Sequence, residues 1–395
     1  MRTAAQAGRT FAAAQKLTKP ARQPRGRHTD LFDLTPSGEQ QMLRDSVRDF
    51  ALSELRPAAL DADTHSRTPT ALLEQANSLG LAMVGVPEEL GGVLEQRSAV
   101  TSVLISEALA QGDMGIAAAC LAPAAVSTAI SLWGDADQQA TYLPEFVSGN
   151  VPAASLALLE PRALFDPFRL RTRARSAAAG GYVLDGVKSL VPRASASELF
   201  VIAAELEGRG PALFIVEPGT EGLSIEPEPA MGVRAAATGA VRCSDVKLPG
   251  GALLGNADPD VYRECVALGR LAWCALAVGT GRAVLDYVIP YVQERTAFGE
   301  SISNRQAVAF AVANIAIELE GMRLATYRAA ARVDQGLPFS REVTLARRLC
   351  AEHGMAIGSE GVQLLGGHGY VKEHPVERWY RDLRAAGVME GALLV

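Results

Sequence analysis

The residue best suited to proton transfer is a glutamate close to the end of the sequence. Glu390 lies in the apolar stretch AAGVMEGALLV. Burial in such surroundings raises the pKa of a carboxyl group, so the carboxylate becomes a stronger base at neutral pH. The spacing leaves two interpretations open: Glu390 is a buried general base, or it belongs to a frayed terminus.

Two further motifs could bind an anionic group such as a diphosphate. QERTAFG ends a predicted long helix, where the guanidinium of Arg295 could hold a diphosphate or form ion pairs at a solvated helix end closed by glycine. QLLGGHGY follows another helical segment, and three glycines in four residues allow backbone N–H groups to approach a phosphate. The same glycines also suit an ordinary helix C-terminus, so both interpretations stay open.

Several other kinds of chemistry lack support. None of the five histidines is grouped with cysteines or carboxylates as metal ligands would be, so we expect no metal site. No GxSxG motif is present for acyl-enzyme catalysis. GTGRAV begins like a dinucleotide-binding fingerprint, but it lacks the third glycine and lies in a helical run. This favours close helix packing over a Rossmann nicotinamide site.

The elements that must position these residues follow in three blocks. Helical spacing of apolar residues gives way to short β-rich runs and then returns. We expect a multi-domain α+β protein with a basic tail at 1–33, an all-helical domain at 34–152, a β-sheet or barrel domain at 153–254 and a helical domain at 255–395. Long helices on both sides of one β-block do not suit a doubly wound α/β fold.

Local signals mark where the first helix begins and where strands reverse. Thr35 offers an N-cap and Pro36 a first-turn proline for the first helix. The β-block has the spacing of an antiparallel sheet, with turn signals at Gly180–Gly181 and Asp185–Gly186. We therefore expect chain reversals at both places.

Composition and charge restrict the compartment and the partners. The 395-residue chain has a formal net charge of −6. Residues 1–29 hold seven basic residues and no acidic one, so the rest of the chain carries −13 and we expect no nucleic-acid-binding body. The tail is an arm of a cytoplasmic protein or, alternatively, a transit peptide for the mitochondrial matrix. Five scattered cysteines indicate a reducing compartment.

Residues 114–134 carry no charge, but Pro123 and many alanines favour a packed core helix over a membrane span.

Three segments, in their order along the chain, carry a family resemblance. QERTAFG, QLLGGHGY and RDLRAAGVMEG, on a helix–strand–helix layout, resemble segments of the acyl-CoA dehydrogenase family, and the resemblance extends from about Leu34 to the C-terminus. It implies a C-terminal four-helix bundle, a dimer or tetramer, FAD bound at a dimer interface, and electron transfer to an electron-transfer flavoprotein. The implied reaction of fatty-acid β-oxidation converts an acyl-CoA substrate to a trans-2-enoyl-CoA.

The resemblance implies roles for individual residues. Glu390 would remove the α-proton of the thioester while the β-hydrogen leaves as hydride to flavin N5. The family's other position for the base corresponds to Gly269, followed by Arg270, so Glu390 is the only candidate. Arg270 and Gly391 would contact the substrate. The residues that would hold FAD across the subunit interface are Arg295, Phe298, Gln306, Gln363 and Gly367.

The flavin-facing surface departs from the family pattern. The family's TEPGAGSD corresponds to LEPRALFD at Leu159–Asp166, and its Trp-Ile-Thr beside the flavin ring corresponds to Leu190–Pro192. We expect flavin contacts at Leu159, Leu190 and Pro192, without the aromatic wall, the hydroxyl group and the N–H that proline lacks. An altered flavin surface beside an intact cross-subunit surface suits a mixed dimer with a paralogous subunit. The alternative hypothesis is therefore a flavin-poor or non-catalytic subunit of a heteromeric acyl-CoA dehydrogenase.

Overall fold

Helices, a β-sheet and further helices follow one another along the chain, which confirms the predicted fold class. The computed structural model describes residues 35–92, 97–147, 150–177 and 180–393, and the tail predicted at 1–33 lies outside these described residues. The first block contains helices α1 (Gly38–Phe50), α2 (Arg56–His65), α3 (Thr70–Ser78), α4 (Ala99–Ala110), α5 (Met114–Trp133) and α6 (Ala136–Val147). A π-helical turn at Ala51–Leu55 joins α1 to α2.

The first helix begins later than its predicted cap. Ser37, and not Thr35, is the N-cap of α1. Ser37 Oγ accepts the Gln40 N–H at 3.2 Å, and Gln40 Oε1 accepts the Ser37 N–H at 2.9 Å. A serine with a glutamine three residues later forms this reciprocal capping box, whereas Pro36 lies before the cap and outside the first turn. The prediction of Thr35 as the cap was therefore wrong.

The middle block forms one eight-stranded sheet. Its strands are β1 (Ala154–Ala157), β2 (Arg173–Ser176), β3 (Tyr182–Val191), β4 (Leu199–Leu206), β5 (Gly210–Val216), β6 (Leu223–Pro227), β7 (Gly239–Leu248) and β8 (Leu253–Leu254). The order is β6-β7-β3-β2-β4-β5-β8, and β1 pairs with β4. The pairs β3–β7 and β4–β5 are antiparallel as expected, but β1 and β2 run parallel to β4. The sheet is mixed because neither β1 nor β2 reaches β4 through a hairpin.

The two predicted turn signals have different outcomes. Gly180 and Gly181, with φ of 84° and 89°, lie between the antiparallel strands β2 and β3. Asp185–Gly186 instead lies inside β3, where the register with β7 shifts, so the predicted reversal there was wrong. A Cβ on Gly186 would lie 2.5 Å from Thr172 Cα, which means that the glycine allows a close backbone approach at a bulge.

The last block is helical and is organised around one long central helix. Its elements are α7 (Pro259–Glu294), β9 (Thr296–Ala297), β10 (Glu300–Ser301), α8 (Gln306–Asp334), α9 (Ser340–Leu365), α10 (Val376–Asp382) and α11 (Ala385–Val388). Helix α7 packs against α8 and α9 and also against α4 of the first block. A Cβ on Gly279 would lie 2.1 Å from the carbonyl oxygen of Glu107 in α4, which confirms that small residues of GTGRAV permit close helix packing.

Two helices, α5 and α7, are long and apolar enough to cross a membrane by length and composition. In the most apolar window of α5, 67% of the residues are buried inside the protein, and in that of α7 the share is 72%. Both helices pack against other helices of the described chain. Their burial is typical of core helices and agrees with the interpretation of residues 114–134 as a packed core segment.

A buried ion pair connects the first block to the last. Arg378 Nε in α10 donates to Asp113 Oδ2 at 2.9 Å, and the side chains are only 5% and 2% exposed. Asp113 Oδ1 also accepts the Ile116 N–H and thereby caps α5. Because burial removes the hydration of both charges, each charge is stabilised by the other.

Replacing Arg378 with methionine is expected to lower the free energy of unfolding by about 3–5 kcal/mol, because Asp113 would be buried without its counter-ion. Urea unfolding followed by circular dichroism measures the loss. The matched control is Arg175→Met, because Arg175 pairs with Asp245 at 2.7 Å while both side chains are more than half exposed. That change should cost less than about 1 kcal/mol. Equal losses in the two variants would contradict the importance of burial for the Asp113 pair.

Candidate active site

Glu390 lies in a turn that two arginines hold by its carbonyl groups. Glu390 and Gly391 have φ of 57° and 107°, and the first value is uncommon for a residue with a Cβ. Arg270 Nε donates to the Glu390 carbonyl at 3.0 Å. Arg347 donates to the same carbonyl at 3.3 Å, to that of Met389 at 2.8 Å and to that of Gly391. These bonds offset the strain of the turn and fix where the Glu390 side chain begins.

Gly391 leaves no room for a side chain. A Cβ at this position would lie 2.7 Å from Pro167 Cδ and 3.1 Å from Arg270 Nη2. The next residue is anchored as well, since the Ala392 N–H donates to the Phe165 carbonyl at 2.9 Å. Gly391 and Arg270 therefore pack against each other beside Glu390. Both are predicted substrate contacts, and their contact with a substrate stays a prediction.

The carboxyl group of Glu390 is buried. The residue is 9% exposed, and its Oε1 accepts the indole N–H of Trp273 at 3.3 Å. Burial raises the pKa of Glu390, while the Trp273 hydrogen bond and the guanidinium groups of Arg347 and Arg270 act in the opposite direction. A buried residue in a hydrogen-bonded turn is not part of a frayed terminus, and the role of Glu390 as a base stays a prediction.

Gly269 in α7 faces the same carboxylate. A Cβ at this position would lie 3.2 Å from Glu390 Cγ and 3.5 Å from its Cδ. A side chain at 269 would therefore compete with that of Glu390 for one space. The missing side chain at Gly269 leaves this space to Glu390.

A cavity of about 210 Å³ adjoins Glu390. Most of its lining is apolar and comes from α4, α5 and α7, and the β-sheet domain adds Leu156 and Pro192. Glu390 is the one carboxylate among the described residues that line it, and Gly269 and Trp273 lie beside it. An apolar cavity of about 150 Å³ in another protein holds benzene, so this one has room for a short acyl group.

Of the predicted flavin-facing residues, only Pro192 is among the described residues that line this cavity, and Leu159 and Leu190 are not. Pro192 lines the cavity, and its carbonyl accepts the Ser155 hydroxyl at 2.6 Å. Leu190 has a φ of 51° and donates its N–H to Glu228 Oε2 at 2.7 Å. Leu159 is buried, and its carbonyl accepts the Ser189 N–H at 2.9 Å. Pro192 therefore presents apolar surface to the cavity, and the Leu190 N–H is already bonded.

The predicted cross-subunit residues gather at one end of the last block. They are Arg295 after α7, Phe298 in the β9–β10 turn, Gln306 at the start of α8, and Gln363 and Gly367 at the end of α9. The Tyr291 hydroxyl connects the ends of α7 and α9, because it donates to the Leu365 carbonyl at 3.3 Å. This group lies about 33 Å along α7 from Trp273, at 1.5 Å per residue, so one chain does not bring it to Glu390.

The side chains in this group are available to a ligand. No described residue offers a hydrogen-bond partner to the side chains of Arg295, Gln306 or Gln363, and Phe298 is 96% exposed. Arg295 caps α7 without an ion pair to any described residue, so the interpretation as an ion-paired helix end has no support. Gly366 ends α9 with a φ of 57°, as expected of a helix C-terminus.

Sequence reasoning named Arg270 but missed Trp273 and Arg347, two other side chains that touch Glu390 or its turn. A signal for Trp273 was present, because it lies four residues after Gly269 in a predicted helix and therefore on the same helix face. No comparable signal existed for Arg347, which lies on α9, far from both Gly269 and Glu390 along the sequence.

Comparisons with known proteins agree with this fold. Residues 37–150, 155–246 and 260–393 match the N-terminal, middle and C-terminal domains of acyl-CoA dehydrogenase. The rat mitochondrial short/branched chain specific acyl-CoA dehydrogenase is 32% identical over 90% of this chain and 83% of its own length. The bovine mitochondrial short-chain specific acyl-CoA dehydrogenase is 34% identical over 89% of this chain and 86% of its own length. The structure of butyryl-CoA dehydrogenase from Megasphaera elsdenii has a TM-score of 0.85 at 27% identity and covers 92% of this chain and 97% of that one. The chain belongs to the acyl-CoA dehydrogenase family.

Proposed function

We propose that this protein catalyses the α,β-dehydrogenation of a short acyl-CoA to a trans-2-enoyl-CoA, with FAD as its cofactor and Glu390 as the base. The observation that carries the proposal is the buried Glu390 carboxylate at the wall of an apolar cavity. The α-proton of a thioester is weakly acidic, so its removal requires a base that burial has strengthened. FAD supplies the acceptor for the hydride that leaves the β-carbon.

The residues around Glu390 prepare it for this step. Arg270 and Arg347 fix its backbone, and Trp273 binds Oε1. No described residue donates to Oε2, which leaves this oxygen for the α-proton. The apolar lining of the cavity excludes water that would solvate the carboxylate and weaken it as a base.

The exposed group at the end of α7 and α9 fits a diphosphate-containing cofactor. Arg295 provides a guanidinium group, and Gln306 and Gln363 provide amide groups. The backbone at Gly367 is open, because a Cβ there would meet nothing within 4 Å. We propose that these residues hold FAD that serves the site of a neighbouring subunit, because their own chain separates them from Glu390. A dimer or a larger oligomer would then be the active form.

The size of the cavity supports a short acyl group. Its volume of about 210 Å³ is only modestly larger than a cavity that accepts one benzene ring. The names of the similar rat and bovine enzymes refer to short and short branched chains. We also propose an electron-transfer flavoprotein as electron acceptor. All five cysteines are buried free thiols, which agrees with the proposed reducing compartment, the cytoplasm or alternatively the mitochondrial matrix.

One observation favours a second candidate function, that of a flavin-poor subunit in a heteromeric enzyme. The Leu190 N–H is bonded to Glu228, Pro192 has no N–H, and Arg162 donates to the Asp166 carbonyl within the altered segment. The β-sheet side therefore offers few donors to a flavin. A colourless protein that gains FAD only on co-expression with a paralogue would establish this function. Full flavin occupancy of the chain purified alone would exclude it.

The substitution Glu390→Gln should abolish substrate-dependent reduction of FAD. It keeps the shape of the side chain but removes the base, and loss of a general base slows reactions by about 10²–10⁴-fold. Anaerobic mixing with a short acyl-CoA, followed by flavin absorbance, measures the rate, and bound FAD should persist. The control is Glu264→Gln, because Glu264 also accepts an indole N–H but from Trp133 and outside the cavity lining. Retained bleaching in the Glu390 variant would remove this residue from the mechanism.

The rate of flavin reduction should fall as the pH decreases through the pKa of Glu390. The base accepts a proton only as a carboxylate, and burial raises its pKa, so the protonated, inactive form persists to a higher pH than for an exposed glutamate. The acid limb of kcat should therefore have its midpoint above about 4.3, the ordinary value for glutamate. Stopped-flow reduction across a pH series measures it. A midpoint at or below the ordinary value would contradict a buried base.

A further inference from the structure

The indole of Trp273 stands beside the base at the wall of the cavity. Trp273 is buried, and its Nε1 donates to Glu390 Oε1 at 3.3 Å. Among the described residues, this is the one hydrogen bond that reaches either carboxylate oxygen of Glu390. Trp273 and Glu390 both line the cavity, so the bond forms within the space where a substrate would lie.

We propose that Trp273 is a positioning residue for the base: its indole N–H holds Oε1, turns Oε2 to the substrate and determines at which pH the carboxylate becomes active. The inference rests on the proposed function, because it assigns Trp273 a task in the reaction of Glu390. An indole is suited to the task, since its N–H only donates and its rigid ring fixes the direction of the bond.

The other titratable groups around Glu390 do not bind its carboxylate. They come from α7, α9 and β3 and are Tyr262, Cys265, Arg270, Arg347 and Lys188. The two arginines donate to backbone carbonyls, and Lys188 Nζ donates to Glu160 Oε1 at 3.2 Å. These cations act on Glu390 through space, whereas Trp273 acts by direct contact.

The hydrogen bond from Trp273 opposes the effect of burial on the pKa of Glu390. Burial is the largest influence on Glu390 and raises its pKa, and the hydrogen bond from Trp273 is the strongest influence that lowers it. A donor to the ionised form stabilises that form, so removal of the indole N–H should leave the carboxylate protonated at a higher pH.

The test is the pH dependence of flavin reduction in the FAD-bound protein with Trp273→Phe, which removes the N–H but keeps an aromatic wall. The acid limb of kcat should move upward by about one pH unit, which is the effect of losing one hydrogen bond to a charged group. Trp133→Phe is the matched control: Trp133 also lines the cavity, but its indole donates to Glu264 at 3.2 Å. The acid limb of kcat in Trp133→Phe should keep the midpoint pH of the unsubstituted protein. An unchanged acid limb in Trp273→Phe would overturn the proposal, even if kcat fell equally at every pH.

A second measurement separates this inference from the proposed function. Protein with ¹⁵N-labelled tryptophan gives one indole signal for each of its three tryptophans, and replacement by phenylalanine assigns them. The Trp273 signal should shift with pH in the unsubstituted protein and should lose this titration in Glu390→Gln. If no acyl-CoA reduces the flavin but this titration is present, the proposed reaction fails while the control of the carboxylate by Trp273 stands. A signal that does not titrate, or that titrates equally in Glu390→Gln, overturns the inference.

Discussion

The cost of keeping a carboxylate out of water governs the structure around Glu390. An ionised carboxyl group loses its hydration when it is buried, and the protein must replace part of that stabilisation. Among the described residues, the replacement comes from one indole N–H and from the more distant charges of Arg270, Arg347 and Lys188. The carboxylate is therefore stabilised less than it would be in water, which is the condition that makes it a strong base.

All three parts of the chain are needed to create this environment. Helix α7 supplies Gly269 and Trp273, α9 supplies Arg347, and the turn after α11 supplies Glu390 itself. Helices α4 and α5 close the cavity, and the sheet contributes Leu156 and Pro192. The buried pair of Asp113 and Arg378 fixes α5 to α10, close in sequence to the Glu390 turn. Domain packing and the chemistry that we propose for Glu390 are thus parts of one arrangement.

Local patterns in the sequence were sufficient for the order of helices and strands, but they left open whether Glu390 is buried or part of a frayed terminus. They were insufficient where a long-range contact decides the outcome. Asp185–Gly186 has the composition of a turn, but the close approach of Thr172 makes it a bulge inside β3. The parallel pairing of β1 and β2 with β4 also has no local signal. Arg347 lies far from Glu390 in the sequence, so only the folded chain shows that it holds the Glu390 turn.

The central claim, that Glu390 removes the α-proton inside this cavity, is tested most directly without hydride transfer. A short acyl-CoA whose β-carbon is replaced by sulfur keeps its α-hydrogens but cannot be dehydrogenated. Mass spectrometry after incubation with the FAD-bound enzyme in D₂O measures exchange at the α-carbon. The unsubstituted protein should catalyse this exchange, and Glu390→Gln should slow it by at least about 100-fold. Equal exchange rates in the two proteins would contradict the role of Glu390 as the base.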